Sequence, residues 1–501
     1  MQISLSYSHI KNKFLDFITS NIIDFLGVLF TLIFFLRRDN PAGDPGVGWH
    51  LRTGEWIVNN LQIPTYDPFL FTHGKWIANQ WLSDLIFWGA YSFRGWPLLE
   101  WIVGAVGITI LFFILPALIS SSKLDRKVQI LPLFFTIINV SLLINTQWIL
   151  RPVIFSFLLF AITFLVGNKM TVNQNRSKTN SILFFFLFLL WANLHPAFPL
   201  GIGLLGVFFV GKYLDQAQIN LKIVLPLLIL SAIATLFNPY FFSLHQEIWK
   251  LLTSPYFMNL NIEWLPPTFA HSEFWPFFGT IFLLPVFVLL ISKSKNRFSL
   301  ILPVLVFALL ALSSRRYIPY FGITLAPLLY HSLCEVRLLR IFSPPTELPY
   351  PKMTSALILF FLIYVISINS LPGKTAEQSN FEKYYPADAV NVLLDEIKRA
   401  DSVVGKTPII FASPNYGGYL TFKLWPNAQV FIDDRNELNG VARYEEYFQA
   451  LKGGEQASKI LDEYTIDYLL IEKDTKLNQM IDRSLWRELY SNNDLALYKR
   501  L

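Results

Sequence analysis

Long apolar runs constrain this chain more than any other feature. They lie near 20–36, 98–118, 128–147, 152–167, 181–194, 197–211, 223–238, 274–292, 298–314, 317–334 and 354–371. A helix needs ~20 apolar residues to cross the hydrocarbon core, where each backbone polar group must be satisfied inside the segment. The pattern predicts a polytopic α-helical membrane domain over 1–371 with about eleven transmembrane helices. The short runs 181–194 and 197–211 flank His195 and Pro196 and read as broken or tilted helices. Composition agrees, with 53% hydrophobic and 15% charged residues in 501, against ~25% charged in soluble chains. A secreted soluble enzyme and a disordered chain are excluded. Cys334 is the single cysteine, which excludes a disulfide scaffold. The absence of a GxxxxGK[ST] loop excludes a Walker-type ATPase.

The net charge of +6 hides an asymmetry. Residues 1–371 hold 25 Lys+Arg and 15 Asp+Glu, whereas 372–501 hold 16 and 20. The basic excess belongs to the membrane part and fits loops beside anionic lipid, not a nucleic-acid face. With the N-terminus inside, the inner loops carry 16 basic residues and the outer segments 9. This bias and an odd span count place the N-terminus in the cytoplasm and 372–501 outside. The first run precedes Arg37-Arg38 with no small-residue cleavage pattern, so it reads as an anchor.

Residues 37–97 form a large first outer loop with two short amphipathic helices expected near 48–60 and 78–93. Beyond 372 the texture changes. Helical patterns at 388–400, 441–451 and 455–464 alternate with strands at 408–412, 429–433, 467–471 and 495–498, predicting a small α/β domain with a partly parallel sheet.

Chemistry concentrates in a few places. Asp44 follows an apolar span among Gly and Pro; it reads as a turn residue or as a carboxylate that takes a proton from an acceptor hydroxyl. Asp67 precedes Pro68 and fits a cap as well as a site. Arg151, Arg315 and Arg316 stand at predicted outer boundaries, where a guanidinium binds phosphate or snorkels to headgroups. His195, beside Asn193, is an intramembrane site candidate or a packing histidine at a helix break. Glu263 is a site acid or a solvated loop acid. Asn415-Tyr416-Gly417-Gly418 and Asp433-Asp434-Arg435 are the polar highlights after 372, and a structural role is favoured for both. The literal GxGxxG at Gly201–Gly206 lies in an apolar span, follows no strand, and reads as helix packing. The seven histidines show no metal-ligand spacing.

Asp44 with Gly48-Trp49-His50-Leu51-Arg52-Thr53-Gly54-Glu55-Trp56, then Ile63-Pro64-Thr65-Tyr66-Asp67-Pro68-Phe69 and Trp76-Ile77-Ala78-Asn79-Gln80-Trp81, resembles uncharacterised bacterial membrane proteins of the GT-C glycosyltransferase superfamily. Those proteins resemble the dolichyl-phosphate-mannose protein mannosyltransferases. Asn415–Leu420 and Val430–Arg435 are similar to the same group. The resemblance implies a GT-C-like fold in a bacterial plasma membrane and a sugar donor linked to polyprenyl phosphate. It also implies an acidic base in the first outer loop, where Asp44 matches. Many members place two adjacent acids there; here Pro45 follows Asp44, and the sequence gives no support for a metal or other cofactor.

The expected activity is inverting transfer of a sugar to a hydroxyl of a lipid, glycan or protein at the outer face. Nucleotide sugars are lacking there, so a lipid-linked donor is the sensible supply. Asp44 would act as base. Arg151 with Arg315 or Arg316 would hold the donor phosphate. His50, Asp67, Asn79, Gln80, His195 and Glu263 are the further substrate-binding candidates. The alternative is a non-enzymatic lipid or polymer transporter or envelope assembly component. Transport would call for matched midplane acids or unwound helices, and none pairs here.

Overall fold

Nine of the eleven apolar runs form helices in this computed structural model, which describes residues 44–121, 127–170, 177–217, 221–342, 346–347, 385–400 and 407–501. The expected spans at 20–36 and 354–371 lie outside the described residues. Two helices build the first loop, α1 (Val47–Asn60) and α2 (Trp81–Arg94). The apolar series follows: α3 (Trp96–Ile108), α4 (Ile130–Asn145), α5 (Val153–Met170), α6 (Ser177–Leu194), α7 (Phe198–Leu214), α8 (Leu221–Ala234), then amphipathic α9 (Phe242–Leu252), and α10 (Trp275–Leu290), α11 (Arg297–Ser313) and α12 (Ile318–Glu335). A π-helical turn, Thr109–Ile114, carries α3 on into Leu115–Ser121.

Helix length bears out the expectation of about eleven spans only in part. Among the described residues, Trp96–Ser120, Val153–Met170 and Ser272–Leu290 are long and apolar enough to cross a membrane. Five others are apolar but shorter. The break between α6 and α7 shows the cause: Pro196 has no N–H to continue α6, and Pro199 in the first turn of α7 is favourable there.

A two-residue antiparallel ladder joins β1 (Lys127–Val128) to β2 (Thr346–Glu347). After α13 (Ala387–Ala400), five strands form one sheet: β3 (Ile409–Ala412), β4 (Gln429–Val430), β5 (Tyr468–Glu472), β6 (Trp486–Ser491) and β7 (Leu495–Arg500). Their order is β4-β3-β5-β7-β6, parallel across β4, β3 and β5 and antiparallel across β7 and β6. Helices α14 (Pro414–Leu424), α15 (Asn436–Leu451) and α16 (Gly454–Glu463) connect them. Strand β6 is absent from the sequence reading because Arg487 and Glu488 break its apolar pattern, as charges do on an edge strand.

This C-terminal unit shares its core with the helices. One cluster of buried side chains runs from Leu51 through Leu143, Phe160 and Tyr320 to Leu393, Ile410 and Leu497. The tightest joint is between α1 and α14. A Cβ on Gly48 would stand 2.1 Å from the Gly418 carbonyl oxygen, and one on Gly418 the same distance from the Pro45 carbonyl oxygen. Gly417-Gly418 therefore serves close backbone approach. Gly418→Ala is expected to lower stability by ~1–3 kcal/mol, because backbone has to move to admit the methyl group. Thermal unfolding of the purified variant checks this, and an unchanged midpoint would refute the packing argument.

Candidate active site

Arg151 lies in the turn before α5 and gathers three acids from separate parts of the chain. Its Nε donates to Asp44 Oδ2 (2.9 Å), Nη1 to Glu263 Oε1 (2.7 Å) and Nη2 to Asp434 Oδ2 (3.3 Å). The first loop supplies Asp44, the segment between α9 and α10 supplies Glu263, and the turn after β4 supplies Asp434. Each acid has a second anchor. Gly46 N–H donates to Asp44 Oδ1, Trp49 Nε1–H to Asp434 Oδ1, and Arg316 Nη2 faces Glu263 Oε2 at 3.7 Å. The Arg316 guanidinium stacks 4.2 Å from the centre of the Trp264 ring.

A cavity of about 200 Å³ opens beside this cluster. Gln80, Arg151, His195, Glu263, Arg316 and Asp434 are on its wall, with Trp49 and His50 beside them. His195 is held by Ser156 Oγ at 2.8 Å from Nδ1, and the Ala197 N–H donates to the same nitrogen at 3.3 Å. Nδ1 is thus an acceptor, which leaves the proton of a neutral ring on Nε2.

Electrostatics separate the three acids. Burial raises Asp44 despite the pull of Arg151. Burial also raises Asp434; Arg151 opposes it, while Asp433 and Asp44 add to it, and the carboxyl comes to about 7. For Glu263 the two guanidinium groups outweigh burial and hold it below the ordinary range. One cation shared by three buried acids favours a proton on the acid least compensated.

Four sequence expectations change in this geometry. Asp44 is 6% exposed and sits behind Arg151, off the cavity wall. Each of the three nitrogens of Arg151 meets a carboxylate, so it is first a clamp on the protein's own acids. Arg151 and Arg316 do converge, but on the protein's own Glu263: two guanidinium groups at one place need an anion, and the chain provides it. Arg315 turns away, over the Phe274 ring at 5.1 Å, with its backbone N–H on Leu265.

The loop candidates also divide. Asp67 is fully buried away from the cavity, where Arg435 Nη1 donates to it at 2.7 Å and Leu70 N–H at 2.6 Å. Asn79 is half-buried and off the cavity wall. His50 Nδ1 lies 2.5 Å from Asp84 Oδ1, and burial drives both toward their neutral forms. The sequence reading missed Asp84, which looks like an ordinary helix acid, and set Asp434 aside as structural. The available signal was its position after a strand, where α/β sites form.

No family model and no curated protein matches the sequence. Solved structures do. The apo oligosaccharyltransferase of Archaeoglobus fulgidus gives a TM-score of 0.53 at 11% identity, covering 90% of this chain and 69% of that one. The same enzyme tethered to an acceptor peptide containing the NVT sequon gives 0.56 at 10%, with the same coverage. AglB of that organism, in complex with an inhibitory peptide and a dolichol-phosphate, gives 0.54 at 12%, again covering 90% and 69%. The chain has the AglB fold. At this identity the likeness establishes the AglB-like fold alone.

Among the described residues, no three His, Cys, Asp or Glu side chains are grouped as a metal site. The converging acids close on a guanidinium.

Proposed function

We propose that the chain is a membrane glycosyltransferase that moves a sugar from a polyprenyl-phosphate donor to an acceptor hydroxyl at the outer face, with inversion. The observation that carries this reading is the cavity-facing Asp434, held between Trp49 and Arg151 inside an AglB-like fold. The dolichol-phosphate bound by AglB supports a lipid-linked donor, and its tethered acceptor peptide supports an acceptor at the same fold.

The Asp434 carboxylate takes the acceptor proton. The acceptor oxygen bonds to the anomeric carbon, and the carbon–phosphate-oxygen bond breaks with its electron pair leaving on the polyprenyl phosphate. Arg316 is the cation that meets that phosphate, because its contact with Glu263 is long, whereas Arg151 is paired with three carboxylates. Asp44 positions Arg151. His195, Gln80 and His50 orient donor or acceptor from the cavity wall. The mechanism routes no step through a metal ion. Burial of the first loop against the C-terminal unit sets both on one end of the helices, which the basic-residue bias assigns to the outside.

The test is release of polyprenyl phosphate from a polyprenyl-phosphate sugar by the full-length protein in lipid nanodiscs. Release with a transferred sugar in the inverted configuration supports the proposal, and a binding protein that leaves the donor intact overturns it. Rate is expected to rise with pH through about 7, the value for Asp434, because only the carboxylate accepts a proton. Stability carries the opposite sign. A carboxyl raised on folding binds more protons in the native state, so its contribution is full below the ordinary carboxylate range and is lost as pH rises to about 7. Unfolding midpoints of wild type and Asp434→Asn should therefore draw apart across that window. Parallel curves would contradict the assignment.

A further inference from the structure

A second cavity, of about 390 Å³, lies at the other ends of α5 and α12. Both helices connect the two cavities. Arg151 precedes α5 at the first and Asn168 stands near its far end at the second, as Tyr320 and His331 do on α12. At ~1.5 Å per residue, the stretch from Arg151 to Asn168 spans ~25 Å, comparable with a hydrocarbon core of ~30 Å.

The second cavity is built around Lys212 of α7. Its side chain lines the cavity, and the residue is 9% exposed. The ammonium lies 5.4 Å from the Phe208 ring centre, and no hydrogen bond or ion pair joins it to the described residues. Asp215, one turn on, is turned elsewhere: its two oxygens accept from the backbone N–H groups of Phe298 and Ser299 at 2.8 and 2.9 Å. Gly211 lets α7 approach this closely, since a Cβ there would stand 2.6 Å from Ser299 Cα. Lys212 is thus pinned at the first turn of α11. Snorkelling would leave the head in water; here the side chain is buried and lines a cavity shared with Asn168 and His331.

A buried ammonium whose neighbouring acid, Asp215, is engaged by backbone N–H groups is poorly compensated, and an anion in the cavity relieves that cost. Lys293 and Glu335, both exposed, line the same cavity with opposite charges, and Lys169, Lys295 and Arg297 stand at the same helix ends. Such basic ends match an anionic lipid surface. We infer that this cavity is a phosphate-binding site, separate from the transfer cavity, with Lys212 as the charge partner of the bound phosphate group. The inference does not depend on the transfer reaction. The same chemistry is offered by a phospholipid headgroup and by free phosphate.

Native mass spectrometry of the detergent-purified full chain, with phosphatidylglycerol or phosphatidylcholine and with inorganic phosphate as competitor, separates these sources. Wild type is expected to retain phosphatidylglycerol preferentially. Lys212→Met should weaken retention about tenfold or more, and Lys212→Arg should preserve it. Phosphatidylglycerol retained against millimolar phosphate supports the site with a lipid ligand. Displacement by phosphate in wild type supports it with free phosphate as the ligand. If Lys212→Met fails to fold, wild type alone decides: no headgroup preference and no response to phosphate overturns the site. Equal retention by wild type and Lys212→Met overturns it as well.

Discussion

Asp434→Asn is expected to lower sugar transfer by ~10²–10⁴-fold while the protein still folds. Asparagine keeps the shape of the side chain, and its carbonyl oxygen can accept from Trp49 Nε1, as Asp434 Oδ1 does at 2.9 Å. It cannot take a proton. The loss should fall on kcat, with donor binding kept, because Arg316, also on the cavity wall, is untouched. Asp44→Asn provides the contrast. Asp44 lies behind Arg151 and off the cavity wall, so its loss should loosen Arg151 and lower the rate less, by about tenfold. Full-length variants assayed for polyprenyl-phosphate release, with circular dichroism to check folding, distinguish the two. Near-normal turnover in Asp434→Asn together with an inactive Asp44→Asn would exchange the two roles.

The largest expected loss of stability is in Arg435→Met, about 3–5 kcal/mol. Arg435 is fully buried between Asp67 of the first loop and Asp433 of the C-terminal unit, with contacts of 2.7 and 2.5 Å. Trp49, Phe69 and Trp76 enclose it, the last 4.7 Å from the guanidinium carbon. Methionine fills much of the space but leaves two carboxylates buried without a counter-charge. Adding Asp67→Asn and Asp433→Asn should recover much of the loss, because three neutral groups remain where three charges stood. Denaturant or thermal unfolding in detergent measures both steps. A single variant as stable as wild type would show that this ion triad does not hold the first loop to the C-terminal unit.

Arg435 also explains why Asp67 reads as a site acid in sequence. A carboxylate that must be present to pair with a distant arginine gives the same local signal as one that must meet a substrate. The partner is 368 positions away, and no local pattern reports it.

The same contrast runs through the whole chain. Apolar runs by themselves determined the helices of the N-terminal part, since runs of Leu, Ile and Phe have no other way to satisfy their backbone in an apolar setting. The alternation after 372 determined α13, α15, α16 and most strands of the sheet, but not α14, because burial on one face has a period that can be read locally only where it is regular. The first loop also marked itself, through Asp44 and its neighbours. The tertiary structure decided which charges meet. It turned Arg151 from a phosphate ligand into a clamp on Asp44, Glu263 and Asp434, sent Arg315 away from Arg316, and brought Asp434 to the cavity in place of Asp44. Charge pairing depends on distance and burial in space, and those are fixed only when four separated segments close around one guanidinium.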